Sequence, residues 1–326
     1  MGQDQRVAVV AGGSAGAGRA VVSRLVEKGY RVGVLARGRE RLEELEQFYG
    51  DRVYCLSCDV ADAPAVARAG ATIEEVLGPV DVWVNMAMLT SFSPFMSMEA
   101  EEFEQIVDAT LLGVVNGTRT ALSLMERRNR GRIVTAGSGL AYRSVPYQSA
   151  YCAAKHGING FMSSIRSELI REGSEITVGL VQLPALDTPQ FGWALNRLSK
   201  QPQPAPPVFS PDVAARAILR AISEGRREYF VGRSVLQLVF ANMALPNWMD
   251  RKMADSGAEM QKSNRDEPGG RPNNLKTPVP DVAARAEGRF GHRASDRAII
   301  VDADRARMIV LGALPLSGLL VGLLLG

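Results

Sequence analysis

The sequence contains few of the residues that build disulfide frameworks and metal centres. It has three cysteines and two histidines among 326 residues. An odd and sparse set of cysteines argues against a disulfide scaffold and favours a reducing compartment. Cys55 and Cys58 have the spacing of a metal or redox pair, but a zinc site would need two further ligands. Since they lie in the apolar segment 53–58, we interpret them as small buried residues of a strand.

The chain also lacks an excess of charge of either sign. It carries 38 Lys and Arg residues against 35 Asp and Glu residues, and aromatic residues make up 6%. No run of Lys and Arg is interleaved with aromatic residues, which argues against a nucleic-acid partner. The polar start of the chain, residues 1–6, has no signal-peptide pattern. We therefore expect the main domain to remain in the cytoplasm.

Short apolar segments alternate with longer helical patterns over the first 230 residues. The apolar segments are rich in Val, Ile and Leu and show little polar alternation, which is typical of strands buried on both faces. This order predicts an α/β fold built on a doubly wound, mostly parallel sheet. The predicted strands are Arg6–Ala11, Tyr30–Ala36, Arg52–Ser57, Val80–Asn85, Arg132–Ala136, Ile176–Leu183 and Glu228–Val231. The predicted helices are Gly16–Lys28, Arg39–Phe48, Ala63–Leu77, Glu101–Arg127, Ser149–Arg171 and Pro211–Glu224.

The remainder of the chain differs in character from this alternating part. Pro184–Pro211 is a long, proline-rich connection, and connections of that length are usually functional, often as lids. We divide the chain into a catalytic domain (1–232), a helical extension (233–262), a flexible charged arm (263–307) and an apolar tail (308–326). The arm is assigned because its first part is rich in Pro, Gly and Asn.

The tail, Met308–Gly326, contains no charged residue. As a helix of nineteen residues it would be about 28 Å long, which approaches the thickness of the hydrocarbon layer of a bilayer. We therefore expect the tail to attach the protein to the inner membrane. The alternative is an apolar arm that docks on the core or on a second subunit.

A glycine cluster lies between the first predicted strand and the first predicted helix. Gly12, Gly16 and Gly18 allow a tight turn and a close approach to a diphosphate, and Ser14 lies among them. The N-terminus of the following helix offers free N–H groups and the positive end of a dipole. Because a nucleotide-binding loop requires this strand–loop–helix context, the cluster predicts a nucleotide site.

The second predicted strand ends in Leu35-Ala36-Arg37. NAD enzymes usually place an acidic residue there to bind the ribose hydroxyls, and none is present. The guanidinium of Arg37 can instead form a charge-assisted fork with a 2′-phosphate. This favours NADP(H), although Arg37 could also simply begin a solvated helix.

Tyr151 and Lys155 form the most informative pair of the sequence. Four residues apart on a helix, they lie on one face. A phenol with a pKa near 10 is a poor acid, and a neighbouring ammonium lowers that pKa. The tyrosine can then exchange a proton with a carbonyl or alcohol while a hydride moves to or from a nicotinamide. Ser138, at the end of the fifth strand, supplies a hydroxyl that can hold the reacting oxygen.

The spacing G-x-x-x-G-x-G, together with Ser138, Tyr151 and Lys155, resembles the short-chain dehydrogenase/reductase family over about residues 5–232. The resemblance implies a single Rossmann-type domain. It assigns acid/base chemistry to Tyr151, pKa tuning and ribose contact to Lys155, and substrate orientation to Ser138. It further implies cofactor contacts after the third, fourth and sixth strands, at Asp59, Val60, Asn85, Ala87, Pro184 and Thr188.

The chain departs from the family pattern at several places. Thr110 stands where the family commonly has an asparagine of the proton relay to the lysine, and a hydroxyl can still bind water there. Met86 and Met88 alter the segment around Asn85, and Ala185 replaces a usual glycine. These features resemble a bacterial subgroup whose members are known mainly as generic oxidoreductases, so the subgroup indicates no substrate.

These observations favour an NADP(H)-dependent oxidoreductase that interconverts a carbonyl and an alcohol. The aromatic residues around Pro184–Pro211 predict a small, apolar substrate, and the family resemblance predicts a homo-oligomer. One alternative is an NADP(H)-binding, membrane-tethered sensor or scaffold with little turnover. A second is a nucleotide-sugar epimerase, whose usual glycine spacing is different.

Overall fold

Eight strands form one sheet in the computed structural model, which describes residues 6–279 and 285–312. The strands are β1 (Val7–Ala11), β2 (Arg31–Ala36), β3 (Val53–Ser57), β4 (Val80–Asn85), β5 (Arg130–Ser138), β6 (Glu175–Leu183), β7 (Glu228–Val231) and β8 (Ile300–Asp302). Their order is β8-β7-β6-β5-β4-β1-β2-β3. β8 is antiparallel to β7, and the other neighbours are parallel. The predicted α/β fold with a doubly wound sheet is confirmed.

Helices cover both faces of this sheet. Leu25 of α1, Leu45 of α2 and Ile218 of α7 are buried in one core with the sheet. Ile73 of α3, Met125 of α5 and Ile158 of α6 are buried in a second core on the other face. The sheet is therefore dry on both sides, which explains its apolar strands. We label nine of the helices: α1 (Gly16–Glu27), α2 (Arg39–Tyr49), α3 (Ala63–Leu77), α4 (Ala100–Val107), α5 (Gly113–Met125), α6 (Ser149–Arg171), α7 (Pro211–Glu224), α8 (Arg233–Ala244) and α9 (Pro246–Lys252).

α4 and α5 are two parts of the single helix predicted over Glu101–Arg127. A π-helical turn, Asp108–Leu112, joins them. Such wide turns in an α-helix often occur at functional sites. The turn contains Thr110, whose side chain is completely buried.

Several described residues of the charged arm predicted at 263–307 contact the part of the chain before residue 233. Ile300–Asp302 adds the edge strand β8 to the sheet, and residues 262–266 pair with Lys200–Pro202 of the connection. The backbone of Gly288 and Phe290 is hydrogen-bonded to Asp187. The sequence pattern does not predict these contacts, because the segment is rich in charged residues and only short stretches of it are apolar.

Residues 303–312 are helical, and Met308 and Ile309 there are exposed. The rest of the predicted tail, 313–326, lies outside the described residues. None of the helices within residues 6–279 and 285–312 combines the length and the hydropathy of a membrane-spanning segment.

Candidate active site

One cavity of about 830 Å³ opens at the carboxyl ends of the parallel strands. The glycine loop after β1, Ser138 at the end of β5 and the turn after β6 all line it. In open α/β sheets ligands bind in the crevice at this edge. The cavity is therefore the candidate active site.

Two glycines of the loop after β1 lie so close to neighbouring backbone that no side chain would fit there. Gly12 has a φ of +92°, and a Cβ there would overlap the backbone of Ala87. A Cβ on Gly18 would overlap the carbonyl oxygen of Gly12. No side chain caps the N-terminus of α1, and its first turn carries no acidic residue. The first turn of α1 therefore offers N–H groups that suit a diphosphate.

Ser138, Tyr151 and Lys155 also line this cavity. Lys155 is 3% exposed, and its Nζ donates to the carbonyl oxygen of Ala136 at 2.7 Å. The same Nζ lies 5.5 Å from the centre of the Tyr151 ring. The Ser138 hydroxyl accepts a hydrogen bond from the Leu140 N–H at 3.1 Å. These contacts fix the backbone segment 136–140 beside the two helix residues.

Burial controls the proton affinities of this pair. It raises the pKa of Tyr151 well above its ordinary value, and a hydrogen bond with Ser138 acts in the opposite direction. Burial also lowers the pKa of Lys155 to about 8. We expected the ammonium of Lys155 to lower the pKa of Tyr151. The loss of water around the phenol outweighs any such effect, because burial disfavours the phenolate.

All of the predicted site residues line the cavity except Asn85 and Thr110. The Asn85 amide accepts from Trp83 Nε1 at 2.9 Å and donates to Thr118 and Thr135 inside the core. The Thr110 hydroxyl both accepts from the Leu89 N–H and donates to the Leu89 carbonyl, at 3.0 and 3.1 Å. Its only proton is thus committed to Leu89. The residues that line the cavity are Gly12, Ser14, Gly16, Gly18, Arg37, Asp59, Val60, Ala87, Ser138, Tyr151, Lys155, Pro184 and Thr188.

Arg37 lies at the cavity wall but is held by the C-terminal part of the chain. We call the described residues 271–279 and 285–290 the strap. Arg37 donates to the carbonyl oxygens of Asn274, Leu275 and Lys276 at 2.5, 2.9 and 3.4 Å. The N–H of Gly16 donates to the carbonyl of Arg285 at 2.9 Å. The sequence gives no signal for these contacts, because backbone carbonyls make them.

An apolar wall, also not predicted from the sequence, completes the cavity beside Ser138. It comes from the loop after β5 and from α8, α9 and the residues that follow them. The sequence pattern predicts that these segments are helical, but it does not predict that they lie against the cavity. Its members include Leu140, Val145, Val235, Leu238, Trp248, Met249, Met253 and Met260.

Comparison with known proteins agrees with this geometry. The model of the short chain dehydrogenase family matches residues 6–195, which is more than half of the chain. The chain belongs to the short-chain dehydrogenase/reductase family. It is therefore an oxidoreductase of that type.

Two curated relatives and one solved structure show the range of the similarity. The uncharacterized oxidoreductase YxnA of Bacillus subtilis is 30% identical over 253 residues, which cover 76% of this chain and 71% of the relative. The 3-oxoacyl-(acyl-carrier-protein) reductase MabA of Mycobacterium tuberculosis is 33% identical over 56% of this chain and 70% of its own. An actinorhodin polyketide ketoreductase with NADPH is 28% identical, with a TM-score of 0.61 over 69% of this chain and 93% of that one.

The lowered pKa of Lys155 predicts a pH-dependent contribution to stability. At pH values from about 8 to 10.5 the folded protein has lost this proton while the unfolded chain still holds it. Unfolding then takes up a proton, so the contribution of Lys155 to the unfolding free energy rises with pH, by at most about 1.4 kcal/mol per pH unit. Below pH 8 both states are protonated and the contribution is constant.

Urea unfolding of the wild type and of Lys155→Met, without cofactor, measures this effect at pH 6.5 to 9.5. The difference between their unfolding free energies should be flat at low pH and should rise above pH 8. Lys252→Met, at an exposed lysine, should show no such rise. A constant difference for Lys155→Met would show that burial does not depress this pKa.

Proposed function

We propose that the protein is an NADP(H)-dependent ketoreductase that reduces a carbonyl of a small, apolar substrate to an alcohol. The observation that carries the proposal is the joining of two sites in one cavity. A glycine loop fit for a dinucleotide lines the same cavity as Ser138, Tyr151 and Lys155. Reduction of a carbonyl needs the nicotinamide close to the carbonyl carbon and the acid/base group close to the carbonyl oxygen.

In this mechanism the chain supplies binding, orientation and a proton. A bound nicotinamide supplies the hydride. The Ser138 hydroxyl holds the carbonyl oxygen, and Tyr151 donates its phenolic proton to that oxygen as the alcohol forms. Burial raises the pKa of Tyr151, so the phenol is protonated at neutral pH but is a weak acid, and its proton is released only as negative charge develops on the carbonyl oxygen. The hydrogen bond to the Ala136 carbonyl fixes Lys155 in place. We assign it two roles, which are to bind the ribose and to place positive charge near the phenol.

Two predicted residues take a different place in the proposal. We assign Thr110 to holding the loop at Leu89, since its hydroxyl is bonded to that backbone on both sides. Asn85 supports the core beneath the loop, so we leave it out of the cofactor contacts, and we leave Thr110 out of the proton transfer. No feature of the described ranges favours the sensor or scaffold that we also considered.

The apolar wall formed by α8, α9 and their neighbours supports an apolar substrate. Met249, Met253 and Met260 are flexible enough to fit an irregular apolar group. Two relatives in the comparison are reductases of oxoacyl and polyketide carbonyls by their names. These similarities support a ketone as the substrate.

Replacing Tyr151 with Phe should remove the proton donor and leave the cavity otherwise filled. We expect kcat for NADPH oxidation with a panel of apolar ketones to fall by roughly 10² to 10⁴-fold, the usual contribution of a general acid. The Kd for NADPH should change little. Tyr54→Phe, at a half-buried tyrosine on β3, should keep full activity. Retention of activity in Tyr151→Phe would refute the assignment of the proton donor.

The preference for NADP(H) depends on Arg37, because β2 ends without a carboxylate. Arg37→Asp should reduce the ratio of kcat/KM for NADPH over NADH by roughly 10- to 100-fold, since a charge-assisted bond contributes about 1.5–3 kcal/mol. The neighbouring exposed Arg39→Asp serves as a control for net charge. The same change of ratio in both variants, or in neither, would contradict a 2′-phosphate contact at Arg37.

A further inference from the structure

A buried chain of hydrogen bonds leads from Ser138 away from the cavity. Gln182 on β6 is completely buried and lies in register with Gly137 of β5. Its Oε1 accepts a hydrogen bond from the Ser138 N–H at 2.8 Å. A Cβ at position 137 would overlap this amide, so the glycine makes the close approach of Gln182 possible. Gln182 therefore contacts the backbone of the residue that holds the reacting oxygen.

The amide of Gln182 is itself fixed in one orientation. Its Nε2 donates to Asn159 Oδ1 at 3.0 Å and to Glu228 Oε1 at 2.8 Å. Glu228 is 3% exposed and also accepts from the Tyr142 hydroxyl and from Arg307, at 2.5 and 2.6 Å. Since all these groups are satisfied, a rotation of the amide would break several buried bonds.

We propose that Gln182 is a positioning residue for the reduction, and this rests on the proposed function. β4 ends opposite Thr135, so Ser138 lies beyond the part of β5 that has strands on both sides. The side chain of Gln182 adds a bond to the Ser138 peptide at this end of β5, where only one neighbouring strand remains. It thereby fixes the direction in which the Ser138 hydroxyl meets the substrate oxygen.

A double-mutant cycle tests this role. Gln182→Met keeps a similar volume and removes the bonds of the amide, and Ser138→Ala removes the hydroxyl that it positions. We expect Gln182→Met to lower kcat by about tenfold with the KM and the NADPH Kd within about twofold. In the Ser138→Ala background the same substitution should have no further effect on kcat.

Several outcomes would overturn the proposal. If the loss of kcat in the double variant equals the product of the losses in the two single variants, Gln182 acts on the fold rather than through Ser138. An increase in KM with unchanged kcat would show the same. Failure of the wild type to reduce any ketone would overturn the proposed function as well. If the wild type is active, the cycle tests the role of Gln182 alone.

The strap carries a second, independent inference. It is anchored at its first and last residues. Arg271 donates to the carbonyls of Phe191 and Ala194 at 3.0 and 2.9 Å and pairs with Glu267 at 3.1 Å. At the far end, Asp187 accepts from the Phe290 N–H at 2.9 Å. Two anchors thus hold the strap against the turn and connection that follow β6.

Between these anchors, carbonyl oxygens of the strap occupy donors that suit phosphate. Three carbonyls contact the guanidinium of Arg37, one bonds to the Gly16 N–H, and Arg41 donates to the carbonyl of Val279. A phosphate oxygen is also an acceptor and needs the same N–H groups. Carbonyl and phosphate oxygens would repel each other at one donor.

We infer that the strap and the phosphates of the dinucleotide compete for Arg37 and Gly16. This rests on the proposed cofactor site and adds its regulation. The strap would have to leave these donors before the adenosine end binds, and loosening its anchor should increase the affinity.

Binding of 2′,5′-ADP, measured by calorimetry, tests the competition with full-length protein. Arg271→Gln weakens the anchor and leaves Arg37 unchanged. We expect this variant to bind 2′,5′-ADP with a Kd several-fold lower than that of the wild type. Arg265→Gln, at an exposed arginine nearby, should behave as the wild type. NADPH should also accelerate tryptic cleavage after Lys276, which is exposed on the strap.

The opposite results would overturn this inference. Equal or weaker binding by Arg271→Gln, or protection of Lys276 by NADPH, would mean that the strap covers the cofactor instead. Binding by none of these proteins would overturn the competition and the cofactor site together.

Discussion

Parallel pairing of β5 with β6 is the interaction on which the site depends. Nine residue pairs run from Arg130 and Glu175 to Ser138 and Leu183, so both strands end together at the carboxyl edge. That edge places Ser138 and the turn at Pro184 beside the glycine loop after β1. The bond from Lys155 to the Ala136 carbonyl attaches α6, and with it Tyr151, to the same end of β5. The proposed chemistry follows from this shared edge.

The sheet and its helices could be predicted because their signals are local. β1 is apolar throughout and β4 is apolar apart from Asp81 and Asn85, and residues such as Val9 and Val84 are completely buried. The edge strand β8 has a weaker signal, because its apolar run spans only residues 298–301, between Arg297 and Asp302. Ile300–Asp302 joins the sheet by pairing with Tyr229–Val231, which is more than sixty residues earlier in the chain. A short strand formed by such a distant contact cannot be recognised from its own residues.

The candidate site could be predicted where spacing alone fixes geometry, as it does for Gly12, Gly18, Tyr151 and Lys155. It could not be predicted where a tertiary contact decides the direction of a side chain. Asn85 turns into the core because Trp83 and two threonines offer it partners there. The pKa of Tyr151 depends on burial that no spacing reveals.

The central claim is that a hydride moves directly from NADPH to a carbonyl carbon beside Tyr151. Reaction of the full-length protein with an apolar ketone and NADPH carrying deuterium at C4 tests it most directly. Because the two C4 positions differ, each deuterated form of NADPH is used in turn. The account predicts that one form yields an alcohol with deuterium on the carbinol carbon, and that the other does not. An alcohol without deuterium from both forms, or no alcohol at all, would contradict it.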